Sequence, residues 1–343
     1  MGILTQLNTL PEKLLSCQPD EIHKVLSGPT LIHLEGQRKA PILISTLLHG
    51  NEPTGFWALQ QVLRPYFVTD AVLPRSVSIL IGNPKAAQKN VRSLPGELDL
   101  NRVWDKGDSE WHDMAQGVVH EMKARKIFAS VDIHNNTGQN PYYACLNKVT
   151  GKNYKLCRIF SDLILFFDQP LGVLSKAFSK VCPSIILEAG VPQDPAGIQK
   201  VRHYLETILR IDELEENGIE STDLAYHVIA MVRLKEGVKL GFGDGPNSKV
   251  DLCLDDELES HNFQVIPSGT CIGWHKGSND KLEVTDNEGK LINGKYFDFS
   301  HGQVRLKHAL IPIMITHDIP VIQQDCLCYL VSPFDVSSRL SPK

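Results

Sequence analysis

Apolar runs and segments with helical spacing alternate along residues 19–215. Runs typical of strands occupy residues 30–34, 41–48, 76–82, 129–134, 142–146 and 184–188. Helical spacing of apolar positions occurs in residues 19–26, 53–63, 110–126, 152–167 and 196–215. Because strands and helices alternate, the pattern predicts an α/β fold built as a three-layer sheet.

Two connections in this region carry further predictions. A short polar stretch, residues 35–40, separates the first two predicted strands, which indicates a hairpin-like start. Residues 85–108 show no periodicity and contain several turn residues, so we expect a long loop there. A loop of this length inside a compact domain is often functional.

The pattern changes from about residue 222 onwards. Short β segments now alternate with glycine-rich turns at residues 241–246, 267–269, 286–289 and 293–294. Strand-like runs follow at residues 309–315 and 326–331. The sequence therefore predicts two domains, an α/β domain of residues 1–221 and a smaller, mostly β domain of residues 222–343.

Composition and charge exclude several classes of partner. The hydrophobic fraction of 42% and the charged fraction of 22% are typical of globular proteins. A formal charge of −5 and the lack of a basic cluster argue against a nucleic-acid partner. We expect no membrane partner, because no apolar run is long enough to span a bilayer. The eight cysteines are scattered without a C-x-x-C pair, which favours free thiols and a cytoplasmic location.

Ionisable residues stand at the ends of three predicted strands. His49 and Glu52 fall in the turn after one strand, His134 ends a second, and Glu188 ends a third. The carboxyl ends of strands in an open α/β sheet can converge on one ligand site. Two histidines, one glutamate and a water would form a catalytic zinc site. Glu188 would then be the general base, its pKa raised by burial, although a lone glutamate could also cap the turn at Gly190.

The predicted loop and one strand supply further candidates. Arg92 and Arg102 place two guanidinium groups near the same strand ends, where they could bind a carboxylate or a developing oxyanion, or form ordinary surface salt bridges. Asp132 precedes His134 by two positions and is expected on the opposite strand face, in either a structural or a supporting role.

Taken together, the motifs resemble one known superfamily. In chain order they are His49-Gly-Asn-Glu52, Asn83-Pro84, Arg92, Asp99-Leu-Asn-Arg102, Asp132-Ile-His134-Asn and Glu188-Ala-Gly. This set resembles the zinc carboxypeptidase superfamily, most closely its succinylglutamate desuccinylase and aspartoacylase branch. The resemblance implies a three-layer α/β sandwich with a mixed central sheet and a smaller, mostly β C-terminal domain.

The resemblance also implies a metal centre and a reaction. His49, Glu52 and His134 match the zinc ligands of the family, with one zinc ion per chain. Glu188 matches the glutamate that activates the attacking water and later protonates the leaving amine. The implied reaction is hydrolysis of the amide bond of an N-acyl amino acid, a small-molecule carboxylate.

Roles for three loop residues follow from the same resemblance. Arg92 matches the arginine that stabilises the oxyanion. Asn101 and Arg102 match the pair that holds the α-carboxylate of the substrate. The family arginine that binds an acyl-chain carboxylate has no counterpart here, because Phe178 stands at that position between Lys176 and Lys180. Acetylaspartate and succinylglutamate are therefore not indicated as substrates.

Two other functions stay open at the level of sequence. One is a metallocarboxypeptidase that acts on peptide C-termini, and the other is a zinc-retaining, non-catalytic protein that binds carboxylates. The presence of Glu188 and of both arginines favours a catalyst. The sequence does not determine the acyl group, the released amino acid, the choice between one metal ion and two, or whether the chain forms a homo-oligomer.

Overall fold

A computed structural model describes residues 3–167, 171–216, 224–277 and 280–339. Contacts within the chain divide these residues into two units. The first unit contains residues up to 135, the described residues between 142 and 216, and residues 335–339. The second contains residues 136–141 and the described residues between 224 and 334. The predicted boundary between residues 221 and 222 lies outside the described residues. The short segment 136–141 joins the second unit although both of its neighbours belong to the first.

The first unit is an α/β fold with a mixed central sheet, as predicted. Its strands are β1 (Thr5–Leu7), β2 (Thr30–Leu34), β3 (Gly36–Thr46), β4 (Leu73–Ile81), β5 (Ala129–His134), β6 (Tyr143–Leu146), β7 (Ile164–Phe166) and β8 (Ser184–Glu188). Its helices are α1 (Thr54–Thr69), α2 (Pro84–Lys89), α3 (Glu110–Ala124), α4 (Gly151–Phe160), α5 (Leu174–Phe178) and α6 (Pro195–Ile208). Two 3₁₀ helices, Glu12–Leu15 and Pro19–Lys24, lie near the N-terminus.

The strand order is β1-β2-β4-β3-β5-β8-β6-β7. Strands β4, β3, β5 and β8 run parallel, whereas β2 is antiparallel to β4 and β6 is antiparallel to β8. Ile42, Leu43 and Ile44 in β3 are all buried, so both faces of the sheet are covered. This explains why the central strands read as continuous apolar runs.

The predicted hairpin at the start of the sheet is wrong, because β4 lies between β2 and β3. The polar stretch assigned to a turn is the outer end of β3, which begins at Gly36. Gly36 is required there because a Cβ atom would lie 2.2 Å from the backbone of Arg75. After β3 the chain crosses over through α1 and returns as a parallel strand, so the polar stretch could not show the strand order.

One loop prediction and two helix predictions also need correction. The segment 85–108 begins with α2, which Asn83 caps by accepting a hydrogen bond from the backbone N–H of Ala86 at 2.9 Å. The helix predicted for 152–167 ends at Phe160, because the apolar run 164–166 forms β7. The helix predicted for 196–215 ends at Ile208.

The second unit is mostly β, and its small second sheet agrees with the predicted fold class. Its strands are β9 (Leu224–Leu234), β10 (Leu240–Phe242), β11 (Leu252–Leu254), β12 (Cys271–His275), β13 (Leu282–Asp286), β14 (Phe297–Ser300), β15 (Gln303–Leu306), β16 (Ile311–Ile313) and β17 (Cys328–Asp335). Five of these strands form one sheet in the order β10-β11-β12-β15-β14, and β9 pairs with both β13 and β17. A 3₁₀ helix, Asp256–His261, and helix α7 (Ile319–Gln324) complete the unit. Among all helices of the described residues, none is both long and apolar enough to cross a membrane.

Candidate metal centre and active site

His49, Glu52 and His134 come together at the carboxyl edge of the central sheet. His49 and Glu52 lie in the turn between β3 and α1, and His134 is the last residue of the neighbouring parallel strand β5. His49 Nδ1 lies 2.9 Å from Glu52 Oε1, and His134 Nδ1 lies 2.7 Å from Glu52 Oε2. All three side chains are buried, and one ligand atom from each lies within 4.8 Å of the others. The cluster could therefore hold a metal ion.

Two glycines give the turn the space that it needs. A Cβ atom on Gly50 would lie 2.1 Å from the backbone of Ala86 in α2. A Cβ atom on Gly55 would lie 2.7 Å from Thr46 Oγ1 and 2.9 Å from the side chain of Ile133 in β5. The glycines thus let α1 and α2 pack closely around the residues that carry His49 and Glu52.

Each histidine is held from behind by an aspartate. His49 Nε2 lies 2.9 Å from Asp99 Oδ1, and His134 Nε2 lies 2.9 Å from Asp132 Oδ2. The expectation that Asp132 faces away from His134 is wrong, since residues two apart in a strand point to the same side. Contacts of this kind fix the tautomer and the orientation of a metal-binding imidazole.

The arrangement of protons in the cluster fits a cation. With Nε2–H donating to an aspartate, each Nδ1 presents a lone pair to an oxygen of Glu52 at hydrogen-bonding distance. Such pairs are stable only if a proton or a metal ion lies between the two atoms. Two imidazole nitrogens and a carboxylate are a donor set that suits Zn²⁺.

Electrostatic interactions shift the pKa values of Glu52 and His134 in opposite directions. Burial alone would raise the pKa of Glu52, but His49 and His134 outweigh it and lower that pKa well below its ordinary value. Burial alone would lower the pKa of His134, but Asp132 and Glu52 raise it well above its ordinary value. In the absence of a metal, a proton on His134 faces the carboxylates of Asp132 and Glu52, and a bound metal cation would take the place of that proton.

Glu188 stands beside His134 on the adjoining strand. It ends β8 and is the direct register partner of His134 across the parallel β5–β8 pair. Burial raises the pKa of Glu188 to about 8; Glu52 and Asp132 raise it further, whereas His134 and Arg92 act in the opposite direction. A carboxyl group with such a pKa can both accept and release a proton near neutral pH.

The structure also brings the predicted loop residues to this edge. Arg92 contacts Asp99 Oδ2 through Nη2 at 2.8 Å, and its Nη1 lies 3.8 Å from Glu52 Oε1. Asn101 Nδ2 lies 3.2 Å from His134 Nε2, and its Oδ1 accepts a hydrogen bond from the backbone N–H of Leu174 at 2.9 Å. Both ends of the buried Asn101 side chain thus have protein partners, and its role in substrate binding stays a prediction.

Arg102 lies at the border of this network. It is half-buried, and its Nη1 donates to the backbone carbonyl of Asn101 at 2.9 Å. Its charge contributes to the lowered pKa of Asp99, although His49 and Arg92 contribute more against the opposing effect of burial. Arg102 is therefore connected to the network through Asn101 and through its charge near Asp99.

Asn135 is a supporting residue that the sequence interpretation missed. Its Nδ2 donates to Thr54 Oγ1 and to the backbone carbonyl of Gly190, both at 2.9 Å, and its Oδ1 accepts from the backbone N–H of Thr54 at 3.2 Å. One side chain therefore ties together the start of α1, the end of β5 and the end of β8. The only available signal was its place directly after His134 in the quoted motif.

The position expected to bind an acyl-chain carboxylate is apolar. Phe178 is fully buried in the core of the first unit with Leu174 and Trp104. Lys180 points to the surface, where its Nζ lies 3.9 Å from Asp105 Oδ1. The structure therefore places no cation at residue 178 itself.

The fold and the site define an α/β protein with a buried histidine–glutamate–histidine centre at the carboxyl edge of a mixed sheet. The catalytic-domain model of the succinylglutamate desuccinylases and aspartoacylases matches residues 39–159. This match confirms the resemblance inferred from the motifs. The matched segment includes the three candidate metal ligands and the loop residues, and it ends before Glu188.

Solved structures share the fold at low sequence identity. Succinylglutamate desuccinylase from Chromobacterium violaceum superimposes with a TM-score of 0.57 and 15% identity, over 87% of this chain and 86% of that chain. Murine aminoacylase 3 gives a TM-score of 0.51 and 15% identity, over 87% and 96%. The product-bound ectoine utilization protein EutE (DoeB) from Ruegeria pomeroyi gives 0.54 and 13%, over 88% of each chain. No curated protein matches the chain by sequence.

Proposed function

We propose that this protein is a zinc-dependent amidohydrolase that cleaves the amide bond of an N-acyl amino acid. The observation that carries the proposal is the pairing of both histidine Nδ1 atoms with the two oxygens of Glu52, next to the register partner Glu188. The family match to a desuccinylase and aspartoacylase catalytic domain supports the same class of reaction.

The metal would be held by His49, Glu52 and His134. Zinc in such a site supplies Lewis acidity, which polarises a carbonyl group and lowers the pKa of water. Asp99 and Asp132 keep both imidazoles oriented for this purpose through their Nε2 atoms.

Glu188 performs the proton transfers in the proposed reaction. Its carboxylate accepts a proton from the attacking water while the water oxygen bonds to the acyl carbon. The protonated carboxyl group then gives that proton to the amide nitrogen as the C–N bond breaks, which releases a carboxylic acid and the free amino acid. Its raised pKa of about 8 suits a group that must be protonated and deprotonated in one cycle.

The two arginines provide permanent positive charge at the site. Arg92 lies close to Glu52 and Asp99, where its charge can stabilise a developing oxyanion. Arg102 is partly exposed, and its guanidinium group is suited to a bidentate contact with the α-carboxylate of the substrate. A small carboxylate is therefore the proposed substrate class.

The first test is amine release from a panel of N-acyl amino acids and short peptides. Zinc-loaded protein, chelator-treated protein and Glu188→Gln are compared, with the exposed Glu213→Gln as a matched control. We expect turnover that requires the metal and falls at least about 10²-fold in Glu188→Gln. Full turnover after chelation would exclude the zinc role, and full turnover in Glu188→Gln would exclude this residue as the base. Cleavage of peptides alone would instead identify a metallocarboxypeptidase.

A further inference from the structure

The turn between β8 and α6 begins directly after Glu188 and is tied to the neighbouring strand β5. The backbone N–H of Ala189 donates to the carbonyl oxygen of His134 at 2.9 Å. The carbonyl oxygen of Gly190 accepts a hydrogen bond from Asn135 Nδ2, also at 2.9 Å. The chain on the C-terminal side of the proposed base is therefore fixed against the end of β5.

The ring of Tyr142 packs against the same turn. A Cβ atom on Gly190 would lie 2.8 Å from Cε1 of Tyr142, and a Cβ atom on Gly197 in α6 would lie 3.4 Å from the same atom. Gly190 also has a φ of +71°, in the left-handed region that glycine adopts without strain. The ring thus fills the space beside Gly190, and only glycine fits at that position.

The hydroxyl group of Tyr142 holds the far end of the turn. It donates to Oδ2 of Asp194, the residue that caps the N-terminus of α6. Asp194 Oδ1 accepts from the backbone N–H of Ala196 at 3.1 Å, and Oδ2 accepts from that of Gly197 at 3.2 Å. The bond from Tyr142 lowers the pKa of Asp194, and hydrogen bonds to an ionised carboxylate are stronger than those between neutral groups. One tyrosine therefore contacts both ends of the turn.

Tyr142 is also close to Glu188 along the backbone of the sheet. The next residue, Tyr143, is the register partner of Glu188 across the antiparallel β6–β8 pair. The main chain of Tyr142 thus leads into the strand beside Glu188, while its side chain holds the turn that follows Glu188. We propose that Tyr142 is a positioning residue for Glu188 and acts through Gly190 and Asp194. This inference rests on the proposed function of Glu188 as the base.

The first part of the test is the steady-state kinetics of Tyr142→Phe with an N-acyl amino acid that the wild type hydrolyses. This change keeps the ring beside Gly190 but removes the hydroxyl group that holds Asp194. We expect kcat to fall roughly 10-fold, because a small displacement of a reacting group is costly, while KM stays within about twofold. The matched control is Tyr204→Phe in α6, since within the described residues the buried Tyr204 hydroxyl has no hydrogen-bond partner. The control should keep the wild-type kcat.

Asp194→Asn tests the same hydrogen bond from its other side. Asparagine still caps a helix, so α6 should keep its N-terminus, but the acceptor for Tyr142 loses its charge. We expect kcat to fall in this variant as well. Because both residues act through one hydrogen bond, the double variant should lose no more than the more affected single variant. Fully additive losses would contradict a shared role.

Amide hydrogen exchange gives a second measurement that needs no substrate. The backbone N–H of Ala189 should exchange faster in Tyr142→Phe than in the wild type, and at the wild-type rate in Tyr204→Phe. Faster exchange with an unchanged kcat would overturn the proposal, because Tyr142 would then support the turn without affecting Glu188. An equal fall of kcat in the control would also overturn it. A wild-type protein without turnover would overturn the proposed function instead, while the exchange rates would still show whether Tyr142 holds the turn.

Discussion

Each imidazole of the candidate metal centre lies between two carboxyl groups. His49 is placed between Glu52 and Asp99, and His134 between Glu52 and Asp132. Each aspartate orients the ring from one side, while the shared glutamate faces both Nδ1 atoms from the other. Three carboxylates, those of Glu52, Asp99 and Asp132, surround the two rings, and Arg92 contacts two of them. This excess of carboxylates favours the binding of a divalent cation.

The aspartate behind His134 should influence metal affinity without being a ligand itself. Asp132→Asn keeps the size of the side chain but removes its negative charge. The lone pair on Nδ1 of His134 then becomes a weaker ligand for a metal ion. We expect zinc affinity to fall about 10- to 100-fold. Chelator competition measures this change, with the exposed Asp162→Asn as the control. Unchanged affinity in Asp132→Asn would contradict the orienting role.

The candidate site residues are easier to predict from the sequence than the side chains that contact them. The convergence of His49, Glu52 and His134 was predictable because ionisable side chains at strand ends are visible in the pattern. The contact of Asp132 with His134 follows from the two-residue period of a strand, once that period is applied correctly. The partners of Asp99 and Asn135 were not predictable, because they lie 50 and 81 residues away in sequence.

Among the structural elements, the turn between β3 and α1 packs tightly against α2. It carries His49 and Glu52, and α2 passes directly against it at Gly50. Backbone contact of this kind cannot relax by rotation of a side chain. The turn therefore depends on glycine for reasons of space.

A single methyl group at this contact should be costly. Gly50→Ala places Cβ 2.1 Å from the backbone of Ala86, so α2 or the turn must move. We expect a loss of about 1–3 kcal/mol in the free energy of unfolding, as is typical of overpacking. Gly117→Ala in α3, whose Cβ position is open, should instead gain up to about 1 kcal/mol. Urea unfolding of both variants checks this contrast, and equal effects would contradict it.

The order of the strands in the sheet could not be predicted from the sequence. The strands themselves were recognisable by their apolar runs, yet adjacency in sequence suggested a hairpin that does not form. Helix α1 carries the chain to β4, which inserts between β2 and β3. Helix α2 was also missed, because a helix of six residues is too short to show a period.

Across the whole molecule, buried thiols create a shared sensitivity to alkaline pH. Burial raises the pKa of Cys182 and of Cys328 from 9.0 to about 12, and it raises that of Cys145 and Cys157 as well. Between about pH 9 and 12 the unfolded chain has lost these protons while the native chain retains them. The native state then binds more protons, so stability falls as the pH rises.

The expected slope is up to about 1.4 kcal/mol per pH unit for each such thiol. Urea unfolding measures the slope between about pH 8 and pH 11. This range begins near the ordinary pKa of a thiol and extends above it. Cys328→Ala should show a shallower decline than the wild type by the contribution of one group. A parallel decline in both proteins would show that Cys328 does not contribute.

The α/β class and the β-rich remainder could be predicted, because composition and periodicity report them directly. The membership of residues 136–141 in the second unit could not, since nothing in that polar segment indicates partners near residues 259, 262 and 314. Such partners are determined by tertiary contacts alone. The sequence thus predicted the α/β fold with a second, β-rich region. It did not predict that residues 136–141 group with the later residues while both of their neighbours group with the earlier ones.

The grouping of residues 136–141 has a consequence for biosynthesis. A ribosome completes His134 and the loop of residues 136–141 long before it makes Glu259 and Asn262. On a nascent chain the loop therefore waits without its attachment, while the earlier strands can already pair. We expect the loop to reach its native contacts late, after Glu259 and Asn262 have been synthesised.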